Sequence, residues 1–288
     1  MIDRRTIITS LVTIGAGSML DLPILAKTFA GAPSTPRMPV MFVGHGNPMN
    51  AITDNTFARV WEKYGRELPM PKAILCVSAH WQTRGTKVTA MEHPKTIHDF
   101  GGFPDELFAV QYPAPGSPTF ADEIAKLTKR TIELDHEWGL DHGTWSVLVR
   151  MYPAATIPVL QLSLDVNLTA QQHSDLAKDL ALLRTKGVLV IGSGNIVHNL
   201  RRMKMEGAPF DWAVEFDATS KRLIESRDIA SLANYPSLGT AAQMAIPTDE
   251  HYLPMIYALS MAEKNENLTF FNEQIDLGSV SMRSFVVG

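Results

Sequence analysis

Nine histidines occur in the 288 residues, and three of them share a context. His45 in "VGHGNP", His80 in "VSAHW" and His198 in "IGSGNIVHN" each stand at or shortly after the end of an apolar run, two of them amid glycines. Neutral imidazole is the commonest protein ligand for zinc and iron. Small neighbours leave room for an ion and for something bound to it. The chemistry such a set offers is metal-assisted. His142 in "GLDHGTW" and His251 in "TDEHYLP" are the next candidates, with Asp141 and Glu250 beside them, and Thr248 or Asp249 placed to cap a helix start near His251. His98 lies in the glycine-rich "IHDFGGFP" with Phe100 and Phe103, a composition that suits a pocket wall or a plain surface turn. His93, His136 and His173 sit among polar or charged neighbours and read as solvated.

The elements that must position these residues follow from hydrophobic periodicity. Strand-like runs cover 39–43, 73–78, 157–164, 187–191 and 279–287, and helical spacing covers 52–68, 117–128, 170–186, 210–226 and 250–262. Strands alternating with helices imply βα units in a single α/β domain, with a central, mostly parallel sheet flanked by helices. Ligands of such sheets collect beyond the carboxyl ends of the strands. His45, His80 and His198 can therefore meet in one crevice although they are far apart in sequence.

Composition narrows the function. Hydrophobic residues make up 45% and charged residues 19%, the balance of an ordinary soluble globular chain. Net charge is -4 and no basic run exceeds a pair such as Arg201–Arg202, which argues against nucleic acid. The single cysteine, Cys76, excludes an intrachain disulfide and a cysteine-rich zinc site; inside the apolar run 73–77 it reads as a buried, inert thiol. There is no P-loop, dinucleotide fingerprint, H-E-x-x-H or G-x-S-x-G. The expected partner is a small molecule. Arg4-Arg5, an uncharged stretch over 6–20 and Ala30-Gly31-Ala32 have the order of a twin-arginine-type export signal. Residues 1–35 are thus expected to be leader and linker, with the functional domain over 36–288 and a periplasmic location; a cytoplasmic protein with an N-terminal extension is the alternative. The uncharged stretch is too short, and too rich in Gly, Ser and Thr, for a stable membrane span.

Taken together, "GHGNPMN", "SAHWQTRGTKVTAMEHPKTIHDFGGFP", "YPAPGSP", "WGLDHGTW", "SGNIVHNLR" and "PTDEHYLPMIYAL" resemble the class III extradiol ring-cleavage dioxygenases, and among these the DOPA 4,5-dioxygenase group. The resemblance runs in order from about Pro39 to "GSVSMRSF" near the C-terminus. It implies an α/β fold with a central sheet. It also implies that His45 and His80 are metal ligands and that His198 is either a catalytic base over the metal or a further ligand. His251 falls where this group supplies another ligand, whereas distant class III enzymes use a glutamate, a role open to the adjacent Glu250. His142 corresponds to a histidine that assists proton transfer. Position 47 departs from the usual "GHGSP", with Asn47 where a serine is common.

The activity so implied is opening of a catechol ring beside its two hydroxyls by O2 at a His-ligated non-haem metal. Fe(2+) is expected for activity, and Zn(2+) is also compatible with the bound site. His198 and His142 would exchange protons with the substrate. Tyr252, or His98 and Asp99, would hold its polar tail. The competing readings are a zinc-dependent hydrolase and a metal-loaded, non-enzymatic binding protein on the same fold.

Overall fold

Runs of aliphatic residues buried on both faces become the middle of a sheet, because a strand with helices on either side has no face left for water. The computed structural model describes residues 37–288, so the expected leader over 1–35 lies outside the described residues. The strands are β1 (Val40–Gly44), β2 (Ala73–Thr83), β3 (Thr86–Thr89), β4 (Ile132–Asp135), β5 (Val159–Asp165), β6 (Val188–Gly194), β7 (Leu268–Phe271), β8 (Ile275–Asp276), β9 (Val280–Ser281) and β10 (Ser284–Val287). Eight of them form one sheet in the order β4-β3-β5-β2-β6-β1-β10-β7, and β8 pairs with β9 separately. The central β5-β2-β6-β1 ribbon is parallel, while β10 and β7 close one edge antiparallel. The result is the expected single α/β domain with a mostly parallel central sheet.

Alternation along the strands builds two cores. Val40, Phe42, Leu75, Val77 and Val190 face the side of helices Ala170–Leu180 and Leu253–Ser260. Met41, Val43, Ile74 and Ile191 face Trp61 and Trp145, carried by helices Thr56–Glu67 and His142–Met151. Each aliphatic side chain so buried stabilises the fold by about 1.5–3 kcal/mol. Cys76 belongs to the second core, and burial pushes its thiol up, leaving it protonated and inert as expected.

Local chemistry sets the boundaries. The helix expected over 52–68 starts only at Thr56, because Asn55 caps it through Ala58 N–H and Pro48–Ala51 forms a separate 3-10 turn. The run 170–186 is α-helical to Leu180, then tightens into 3-10 and stops at Gly187, whose φ is 86°. The run 279–287 is broken into β9 and β10. The run 73–78 continues through His80 to Thr83, with a register shift against β5 between Val77 and Gln82. His80 thus projects from an irregularity inside a strand rather than from beyond its end. Short strands β3, β4, β7 and β8 and the helix His142–Met151 were not legible from periodicity. Among the described residues, no helix is long and apolar enough to cross a membrane.

Two expectations fail in the cores. His173 is not solvated: it is 1% exposed, and its Nδ1 lies 2.9 Å from the Tyr257 hydroxyl. Gln171 and Asp175 turn outward on the helix, while His173 and Ser174 turn in. Tyr252 does not face the crevice; it is buried, and its hydroxyl donates to the Leu232 carbonyl.

Candidate metal centre

At the end of β1, the two glycines around His45 answer to one neighbour. A Cβ on Gly44 would lie 2.8 Å from the Met282 backbone, and one on Gly46 would lie 2.4 Å from the Met282 sulfur. Gly46 also has φ +58°, a conformation that disfavours other residues. The chain crossing at Met282 thus demands small residues while the His45 ring turns into the crevice. Asn50 Nδ2 donates to the His45 carbonyl at 3.0 Å and fixes the loop. His45 Nδ1 lies 3.0 Å from Ser193 Oγ. The Ser193 hydroxyl gives its single proton to the Gly143 carbonyl, so His45 Nδ1 must be the donor in that contact. This leaves His45 Nε2 without a proton.

His80 reaches the same point from β2. Its Nδ1 lies 3.2 Å from Asp99 Oδ2, and the carboxylate charge there favours the tautomer with the proton on Nδ1. Its Nε2 stands 3.2 Å from His45 Nε2. In that tautomer two unprotonated nitrogens face each other at that distance.

His251 arrives through the glycines of β6. A Cβ on Gly192 would come within 2.1 Å of the Pro254 carbonyl oxygen, and one on Gly194 within 2.1 Å of the His251 carbonyl oxygen. The "GSG" segment is therefore a seat for the chain that carries His251, locked by Asn195 N–H donating to the His251 carbonyl at 2.8 Å. Ser193, between the glycines, serves His45. Glu250 Oε1 lies 3.0 Å from His251 Nδ1 and orients the ring.

His142 opens the helix His142–Met151. Asp141 caps that helix through Thr144 N–H and accepts from Ser78 and Gln161, so it holds the helix start rather than the neighbouring ring. Asp99 Oδ1 accepts from the His142 N–H at 2.9 Å and lies 3.0 Å from His142 Nδ1, close enough for charge attraction but outside hydrogen-bond geometry. Burial alone would raise the Asp99 carboxyl, but its hydrogen bonds and charge interactions with His142 and His80 keep it below its ordinary value. His198 lies flat on His251, with ring centroids 3.5 Å apart and planes within 9°. It falls in a group with Glu250 and His251, and not with His45 and His80.

The residues fit a divalent cation. The ligand atoms of His45, His80 and His251 all lie within 4.8 Å of one another. Burial first, and the neighbouring imidazoles second, hold His45 and His251 well below the ordinary histidine value. Burial likewise takes His80 down to about 3 and His198 to about 4. All four are neutral at pH 7 and present lone pairs rather than charges. Facing lone pairs repel unless a positive ion lies between them, and the Ser193, Asp99 and Glu250 contacts are the outer support that a metal-binding imidazole takes.

Beside the imidazoles lies a cavity of about 400 Å³, its outer wall built by Phe100, Phe103, Leu200, Met203, Leu277 and Val280. Asn47 lines it and caps the Pro48–Ala51 turn through Met49 N–H. His98 does not line it; its Nε2 sits 2.9 Å from the Val110 carbonyl oxygen and its ring packs on Trp145. Asp99 lines the cavity, but both its oxygens serve histidines.

A mostly parallel α/β sheet that gathers neutral imidazoles in one crevice, next to an apolar cavity, is the setting of a metal-assisted site for a small molecule. Residues 35–280 match the family described as the catalytic LigB subunit of aromatic ring-opening dioxygenase, and the chain belongs to that family. It is 46% identical over 265 residues to the 4,5-DOPA dioxygenase extradiol of Escherichia coli (strain K12), covering 88% of this chain and 96% of that one. To the Beta vulgaris 4,5-DOPA dioxygenase extradiol it is 35% identical over 257 residues, covering 85% and 94%. The crystal structure of an uncharacterized Escherichia coli K12 protein superposes with a TM-score of 0.78 at 43% identity, covering 88% of this chain and all of that one. The chain is accordingly an extradiol dioxygenase, as the motifs suggested.

Proposed function

We propose that this enzyme opens a catechol of the DOPA type, a 3,4-dihydroxyphenyl group with a short polar tail, using iron(II) held by His45, His80 and His251. The facing Nε2 atoms of His45 and His80 carry the metal assignment, and the names of the Escherichia coli and Beta vulgaris relatives support the substrate class. When bound, iron(II) supplies open coordination positions for the two catechol oxygens and for O2, and a path for electrons between them.

The chain supplies proton management and shape. His198 stands outside the His45–His80–His251 trio and stacks on His251, and its neutral imidazole takes the catechol proton. With Nδ1 turned to Asp99, His142 keeps Nε2 for the later proton transfer. Phe100 and Phe103 flank the aromatic ring and keep water from it.

Protein reconstituted anaerobically with iron(II) and mixed with DOPA and O2 is expected to turn yellow and to consume one O2 per ring. No colour and no O2 uptake across several catechols with fresh iron would overturn the reading. Turnover of an ester or amide with zinc alone would put the hydrolase in its place. His198→Ala is expected to retain metal and lose turnover; loss of metal would make His198 a ligand.

A further inference from the structure

Ring cleavage requires only a catechol, so what selects among catechols is the wall that meets the tail. Neither Tyr252 nor His98 lines the cavity, and Asp99 is committed to His80 and His142. One other charged side chain lines it, Asp276, and no lysine or arginine does so among the described residues. Asp276 Oδ1 accepts the N–H of Leu277 at 2.9 Å, which fixes the carboxylate at the mouth of its turn. No Lys or Arg salt bridge engages it among the described residues.

The backbone places this carboxylate relative to the reacting end. Asp276 of β8 pairs with Val280 of β9, and Val280 bridges on its other side to His198. Residues directly opposite in neighbouring strands present side chains to one face. Asp276, Val280 and His198 therefore look into the cavity together, and all three line it. Two strand spacings separate the Cα atoms of Asp276 and His198 by roughly 9–10 Å. That gap suits a catechol ring with a two-carbon ammonium tail. The ladder is pinned: Asn199 N–H donates to the Ser279 carbonyl at 3.1 Å, and Lys204 N–H to the Leu277 carbonyl at 3.0 Å. Between the two ends the wall is apolar, with Leu277, Val280 and Met203.

We propose that Asp276 is the specificity residue of this site: its carboxylate receives the ammonium group of an aminoalkyl catechol and repels catechols whose tail is a carboxylate. This rests on the ring-cleavage reading above. An amino acid tail is still admitted, because its own carboxylate can lie toward Met205, which is 84% exposed at the rim.

The test is Asp276→Asn, which preserves the acceptor for Leu277 N–H. Iron-loaded wild type and variant are compared on dopamine, 4-methylcatechol and dihydroxyphenylpropionate, by turnover in air and by calorimetric binding without O2. Losing a charged hydrogen-bond partner lowers the dopamine to 4-methylcatechol ratio of kcat/KM about tenfold or more. That loss is expected in KM, with the same change in the binding ratio, while dihydroxyphenylpropionate improves relative to 4-methylcatechol. Unchanged ratios in the variant, or no dopamine binding by the wild type, overturn the proposal. Tail-dependent binding without opening of any catechol would instead refute the ring-cleavage reading and leave the role of Asp276 standing.

Discussion

His45 and His173 are almost equally buried, 2% and 1% exposed, yet only one stands in a site. Burial depresses both imidazoles, His173 to about 4. Their partners differ. The His173 Nδ1 meets the Tyr257 hydroxyl at 2.9 Å inside a core, and its buried Nε2 has no hydrogen-bond partner among the described residues, so nothing converges on it. The His45 Nε2 meets another imidazole nitrogen at 3.2 Å, while the His45 Nδ1 bonds Ser193 and the His80 Nδ1 faces the Asp99 carboxylate. A buried histidine is thus no signal by itself; a functional centre is marked by acceptors that converge with no proton to share.

The largest effect expected from breaking this contrast is on the acceptors themselves. His45→Ala or His80→Ala should bring metal content, read by elemental analysis, down to background, whereas His173→Gln should leave it intact. Metal retained in both alanine variants would place the site elsewhere. Next comes the atom that sets the tautomer. Ser193→Ala removes the acceptor for His45 Nδ1–H and should weaken metal binding by about 10–100-fold in a competition titration. Gly194→Ala should cost about 1–3 kcal/mol in denaturant melts, because its Cβ would press on the His251 carbonyl oxygen. The smallest effect belongs to His173. Its value falls from 6.5 in the open chain to about 4 in the fold, so the unfolded chain binds a proton that the fold refuses. Stability therefore drops as pH falls through that window, by about 1 kcal/mol from pH 6.5 to about 5.5. In His173→Gln this share of the acid slope should vanish; an unaltered slope would show that His173 is not held neutral.

Much of this arrangement was legible in the chain because the signals are local. Apolar runs broken by glycine announced β1 and β6, and histidines in similar settings pointed to one crevice. Other features were not. His80 lies within β2 rather than past it, since a register shift between strands leaves no trace in hydrophobic periodicity. The helix that carries His142 is short and buried nearly all round, so its apolar stripe has no polar opposite; its Asp141 cap was the available clue. Ser193 acts through partners 50 and 148 residues away, and Asp276 through strand pairing, which no spacing rule encodes. Tyr252 and His98 sit beside recognisable motifs but turn the other way.

The most direct measurement is an anomalous difference map at the iron edge from crystals of the iron(II)-loaded protein. One peak about 2.0–2.2 Å from both His45 Nε2 and His80 Nε2, with His251 as a third contact, is the expected result. A peak elsewhere, or two imidazoles that move together with no ion between them, would contradict it.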